Sequence, residues 1–126
     1  MAVLPMKCRR YLTERGIAFE EVADGGQKAV ILRAFTLPPD HFDTPTADIL
    51  ILLPAGYPDS PPDMFHAFPW ISLISIGRYP KAADHPVLFA GQNWQRWSRH
   101  NNAWRAGVDG IWTMLKRIQT ALEEAA

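Results

Sequence analysis

Gly56-Tyr57-Pro58-Asp59-Ser60-Pro61-Pro62 is the stretch on which the fold turns. Each proline removes an amide donor, so the segment must lie outside any strand ladder. It falls between two strand-like runs. Ahead of it, Ala47 to Leu53 is short and almost wholly apolar, as a central strand covered on both faces requires. Behind it, Met64 to Trp70 reads as another strand. The rigid turns of the proline segment thus pin one strand to the next.

Upstream, the pattern resolves into a helix and a hairpin. Pro5 suits a first helical position and Gly16 the left-handed residue beyond the last turn. Between them Leu4, Cys8, Tyr11 and Leu12 form one apolar stripe, so Cys8 is expected to face inward. Ile17 to Val22, then Asp24-Gly25-Gly26, then Gln27 to Leu37 reads as strand, tight turn and strand. Pro38 and Pro39 stop the second run.

Downstream, the stretch from Ser72 to Arg105 is dense in Gly, Pro, Asn and Trp and reads as a long ordered loop, with Leu73, Ile74 and Ile76 as a further strand-like group. The chain closes on a helix whose apolar face is Val108, Ile111, Trp112, Leu115, Ile118 and Leu122. Helix, antiparallel four-stranded meander, ordered loop and C-terminal helix packed on the sheet make an α+β domain spanning residues 1–126.

Composition narrows the function. A chain of 126 residues that is 48% hydrophobic is long and apolar enough for one core without metal or disulfide staples. The single cysteine, Cys8, excludes an internal disulfide and any multi-cysteine metal site. The scattered His41, His66, His85 and His100 show no metal-ligand spacing, so no metal is expected. No glycine-rich phosphate loop is present, and no cofactor is expected. The longest apolar runs fall far short of a membrane span and no signal-peptide pattern is visible, so the expectation is a cytoplasmic chain without membrane contact. Thirteen basic residues balance thirteen acidic ones, which argues against a nucleic-acid partner. The charges are nevertheless segregated. Residues 34–77 hold five Asp and no Lys or Arg, whereas residues 78–117 hold seven basic residues against Asp84 and Asp109. Either the two regions face different partners or they neutralise each other across the fold.

Tyr57-Pro58-Asp59-Ser60-Pro61-Pro62 resembles the Tyr-Pro-x-x-Pro-Pro motif of ubiquitin-conjugating enzymes, and Trp97-Ser98 before a helix resembles the tryptophan ahead of that fold's second major helix. With Trp94 to His100, these residues look like a bacterial branch of the ubiquitin-conjugating (UBC-fold) superfamily. In active members of that superfamily, a cysteine roughly ten residues after a His-Pro-Asn histidine accepts ubiquitin as a thioester, using thiolate chemistry and an amide oxyanion donor. Here the nearest element is His85-Pro86-Val87, and the expected cysteine position falls near Gln95. No cysteine follows position 8.

The resemblance therefore implies a non-catalytic adaptor that binds a ubiquitin-like β-grasp protein, or an activating or ligase-type enzyme, in a bacterial ubiquitin-like conjugation pathway. The alternative is an active conjugating enzyme with a non-standard nucleophile, for which Cys8, His85 and Ser98 are the candidates. No catalytic residue is assigned. Trp and Arg dominate binding hot spots because they join area to directional donors. On that ground Arg96, Arg99, His100 and Trp104 are the candidate partner contacts, while Trp94 and Trp97 are expected to roof the core. The exposed side of the sheet, the 78–105 loop and the N-terminal helix are the surfaces expected to bind.

Overall fold

A computed structural model describes residues 3–99 and 103–126. Helix α1 (Met6–Glu14) is followed by strands β1 (Phe19–Asp24), β2 (Gln27–Thr36), β3 (Thr46–Leu53), β4 (Phe65–Phe68), β5 (His85–Phe89) and β6 (Gln92–Trp97), then by helix α2 (Ile111–Glu124). The six strands form one antiparallel sheet in the order β1-β2-β3-β4-β6-β5. The α+β class holds, but the meander is not confined to four strands. Part of the segment expected to be a long loop is the β5–β6 hairpin.

Local chemistry explains the well-read elements. Gly16, at φ 67°, ends α1: its N–H bonds to the Thr13 carbonyl at 3.1 Å, and that of Ile17 bonds to Leu12 at 3.0 Å. These paired bonds satisfy carbonyls that the helix would leave orphaned. Gly25 and Gly26, at φ 57° and 83°, make the two-residue turn between β1 and β2. The proline segment lies outside the ladder, between β3 and β4.

Both helices pack on one face of the sheet. Leu4, Cys8 and Leu12 meet Ile111, Met114, Ile118 and Leu122 over Val30, Leu32, Ile49, Ile51, Phe65 and Trp97 in the main core. Helix α2 begins at Ile111, later than its periodicity suggests, and Val108 is 52% exposed rather than part of the apolar face. Asp109 ties the preceding turn to the first turn of the helix. Its carboxylate accepts from the Arg105 backbone N–H at 2.6 Å and the Thr113 hydroxyl at 3.0 Å, both of which hold its pKa below the usual carboxylate range.

The helix-free face is not an open surface at its centre. Phe89 and Trp94 join Ala29, Ile31 and Leu50 in a second buried cluster. In a flat sheet β2 and β6 would be about 14 Å apart, three strand spacings. The sheet must curl to bring these residues together. A bond of 3.1 Å from the Ala90 N–H to the Asp24 carboxylate ties the β5–β6 turn to the β1–β2 turn and closes that curl.

Candidate functional site

The neighbourhood where the resemblance looks for a thiol is part of the sheet. Gln95 lies in the middle of β6, between β4 and β5, and is fully buried. Its Oε1 accepts from the Ile71 N–H at 2.9 Å and the Trp97 indole at 3.2 Å. Its Nε2 donates to the Ile71 carbonyl at 3.1 Å and the Ala83 carbonyl at 2.8 Å. The carboxamide therefore staples the segment between β4 and β5 to the sheet, with its donors and acceptors in use. The sequence expectation of a cysteine near Gln95 gives the glutamine itself no role. Once the segment is a strand, the two-residue alternation puts Gln95 on the same face as Trp97.

Cys8 is buried on α1, as its stripe suggested, with Sγ 3.3 Å from the Tyr57 hydroxyl. Burial first, and then the Cys8 contact, pushes the Tyr57 phenol's pKa upward. The thiol thus packs beneath the proline segment. His85 opens β5 and is exposed, whereas Ser98 is half-buried just after β6. Val87, third in the His-Pro-Val element, is half-buried opposite Trp94.

The four candidate contacts occupy different settings. Arg96 is half-buried on β6, with His66 opposite it on β4 and His85 opposite it on β5. Directly opposed residues share a face, so His66, Arg96 and His85 lie side by side on one face of the sheet. Its Nε is sealed from solvent without a hydrogen-bond partner. His66 is buried and held neutral by that burial, with the Arg96 charge adding to the effect and a 3.3 Å contact from Nδ1 to the Leu50 carbonyl opposing it.

Arg99 stands over the Trp97 ring at 5.1 Å, and its guanidinium donates to the carbonyls of Ser98 at 3.2 Å and Lys81 at 3.4 Å. Burial lowers its pKa. Trp104 is half-buried and donates its indole N–H to the Pro58 carbonyl at 2.9 Å, with its ring 6.4 Å from that of Tyr57. It therefore also braces the proline segment. His100 lies outside the described residues. Trp94 and Trp97 are both buried, one in each core cluster.

The segregated charges are in part resolved locally. Asp48 pairs with Arg33 at 2.8 Å, and Arg33 also reaches Glu20 at 2.9 Å. Among the described residues, no group of three or more His, Cys, Asp or Glu is arranged to hold a metal ion. Nor is any of their helices long and apolar enough to cross a membrane.

The family model named prokaryotic E2 family E matches residues 4–125. The chain belongs to that family. Membership joins it to ubiquitin-like conjugation in prokaryotes at that coarse level. Comparison with curated proteins and with solved structures gave no match.

Proposed function

We propose that this member of prokaryotic E2 family E is a non-catalytic adaptor, a single UBC-like domain over residues 1–126 that has no thioester site. Its partner would be a ubiquitin-like β-grasp protein, or the activating or ligase-type enzyme of the same pathway, met in the cytoplasm. The observation that supports the reading is Gln95, whose buried and fully bonded carboxamide stands near the place where a thiol would have to be exposed. A nucleophile there would need both an open loop and a nearby oxyanion donor.

Partner contact is assigned to Arg96, Arg99, His100 and Trp104. Support comes from Arg96, a half-buried guanidinium with a desolvated Nε and no ion pair among the described residues. A structural arginine normally has its charge answered within the fold. Arg96→Met should keep or raise the thermal midpoint, because it removes an uncompensated polar group and retains the apolar stem. The same variant should weaken co-elution with the β-grasp protein or activating enzyme in gel filtration. Full complex formation by Arg96→Met would remove that residue from the interface. If complex formation is lost in Cys8→Ala, or is reversed by thiol reductant, the chain is a conjugating enzyme instead.

A further inference from the structure

Ile74-Ser75-Ile76-Gly77-Arg78-Tyr79 is an unbroken exposed run between β4 and β5. Its turn is closed by the Leu73 N–H on the Arg78 carbonyl and the Gly77 N–H on the Leu73 carbonyl, both at 2.8 Å, with Gly77 at φ 65°. Leu73 is buried, yet Ile74 is 57% exposed, Ile76 47% and Tyr79 40%. The apolar surface continues beyond the turn. The Tyr79 ring meets that of Trp70 edge-on at 5.3 Å, and the Trp70 indole N–H donates to the Asn93 carbonyl at 3.1 Å. Asn93 stands opposite Leu88, which is 71% exposed on the edge strand β5. Large apolar side chains linked in this way mark an interaction surface, whereas singly scattered ones do not.

Charge is ordered across the same turn. Antiparallel bridges from Phe42 to Leu73 and from Leu73 to Arg78 set three segments side by side, with Leu73 in the middle. The Ile74 N–H bonds to the His41 carbonyl at 3.1 Å, and the Asp43 N–H to the Ser72 carbonyl at 3.0 Å. Asp40 and Asp43 therefore flank Ile74 on one side, where all three line one cavity. Arg78 stands on the other side, its backbone two strand spacings or about 10 Å from theirs. Asp40, Asp43 and Arg78 are exposed, and none has an ion pair among the described residues. A partner of one charge sign would meet one flank and be repelled by the other, so an anionic bilayer would oppose Asp40 and Asp43. A second copy related by a two-fold axis through the turn sets Arg78 of each copy against Asp40 and Asp43 of the other, with the isoleucines of both between them. The chain's formal net charge of zero leaves no overall repulsion between copies. We propose that the exposed 74–79 turn is an isologous self-association surface whose occupant is a second copy of this chain. The surface rests on the turn and its flanks and holds whether or not the chain is an adaptor.

Sedimentation velocity of the full-length protein, from about 10 μM to about 1 mM, tests the surface. So small a patch should give a monomer–dimer equilibrium with a dissociation constant on the order of 100 μM. A substitution at a two-fold interface enters it twice. Ile76→Ser and Arg78→Asp should therefore each weaken the dimer at least about tenfold, the first through lost apolar burial and the second through like charges facing Asp40 and Asp43. Both residues are exposed, so the thermal midpoint should hold in each variant. Val108→Ser removes an exposed apolar side chain that lines a separate cavity beside α1 and should leave the dimer unchanged. A wild-type monomer throughout the range, species that grow past the dimer with concentration, or wild-type association in either Ile76→Ser or Arg78→Asp would overturn the assignment. So would an equal loss in Val108→Ser, which would make the association non-specific. Flotation with phosphatidylcholine vesicles containing phosphatidylserine covers the other occupant. Vesicle capture by a chain that stays monomeric, lost in Ile76→Ser, would give the surface to a membrane and overturn self-association.

Discussion

Gln95 shows how one side chain can carry a segment. With Gln95→Ala, the Ile71 N–H and the carbonyls of Ile71 and Ala83 lose their partner inside the core. Each buried polar group left unpaired costs about 1–3 kcal/mol, so the variant should lose about 3 kcal/mol or more in urea unfolding. A loss under about 1 kcal/mol would mean that water or a local shift replaces the carboxamide. His66 supplies a second test at this scale. Its folded pKa is lowered by burial, with Arg96 adding to the shift, so its contribution is fully present above the unfolded value of about 6.5 and is lost as pH falls through the folded one. The thermal midpoint should therefore fall on acidification below about pH 6.5, and His66→Gln should flatten that part of the profile. An unchanged profile in the variant would assign the acid sensitivity to other groups. Neither role was legible beforehand, because a buried amide and a neutral histidine are defined by neighbours that the chain brings from far along the sequence.

Among the elements, those with strong local signals were legible and the β5–β6 hairpin was not. Gly16 and the Gly25-Gly26 pair permit the left-handed angles that other residues resist, and the prolines around residue 58 fix φ locally. The turn between β5 and β6 is Ala90-Gly91, and Ala90 adopts φ 50° without being a glycine or asparagine. Its strands also carry polar residues such as Gln92, Asn93 and Gln95 where β-branched ones are the usual signal. What holds Ala90 in that conformation includes its N–H bond to Asp24, a contact across 66 positions. Ala90→Asn should stabilise the protein by about 0.5–1 kcal/mol, since asparagine tolerates the left-handed region better than alanine. A destabilised variant would show that the alanine methyl packs against the curl. The late start of α2 has a similar cause: the apolar period runs back to Val108, but the Asp109 carboxylate accepts the Arg105 N–H and holds residues 105–109 in a turn of their own ahead of the helix.

Across the whole molecule, the curl of the sheet changes what the surface offers. The centre of the helix-free face is filled by Trp94 and Phe89, and the Asp24–Ala90 bond fastens the two hairpins that enclose it. Unmatched cations lie elsewhere, at Arg96 beside the two histidines and at Arg99 and Arg117 in the cavity under α2. Of this, the sequence made legible the residue types and the absence of a second cysteine. Their placement was not legible, because Arg99 follows β6 and Arg117 lies on α2, and both come to line one cavity only when α2 packs on the sheet. The central proposal is chemical: this chain forms no thioester, a reading supported by the buried Cys8 and the sealed Gln95. The direct measurement is incubation of the wild-type protein with an activating enzyme already charged with its ubiquitin-like protein, followed by intact mass analysis under non-reducing conditions. The expected result is a single species at the mass of the free chain in both wild type and Cys8→Ala. A reductant-sensitive adduct on the wild type that disappears in Cys8→Ala would contradict it.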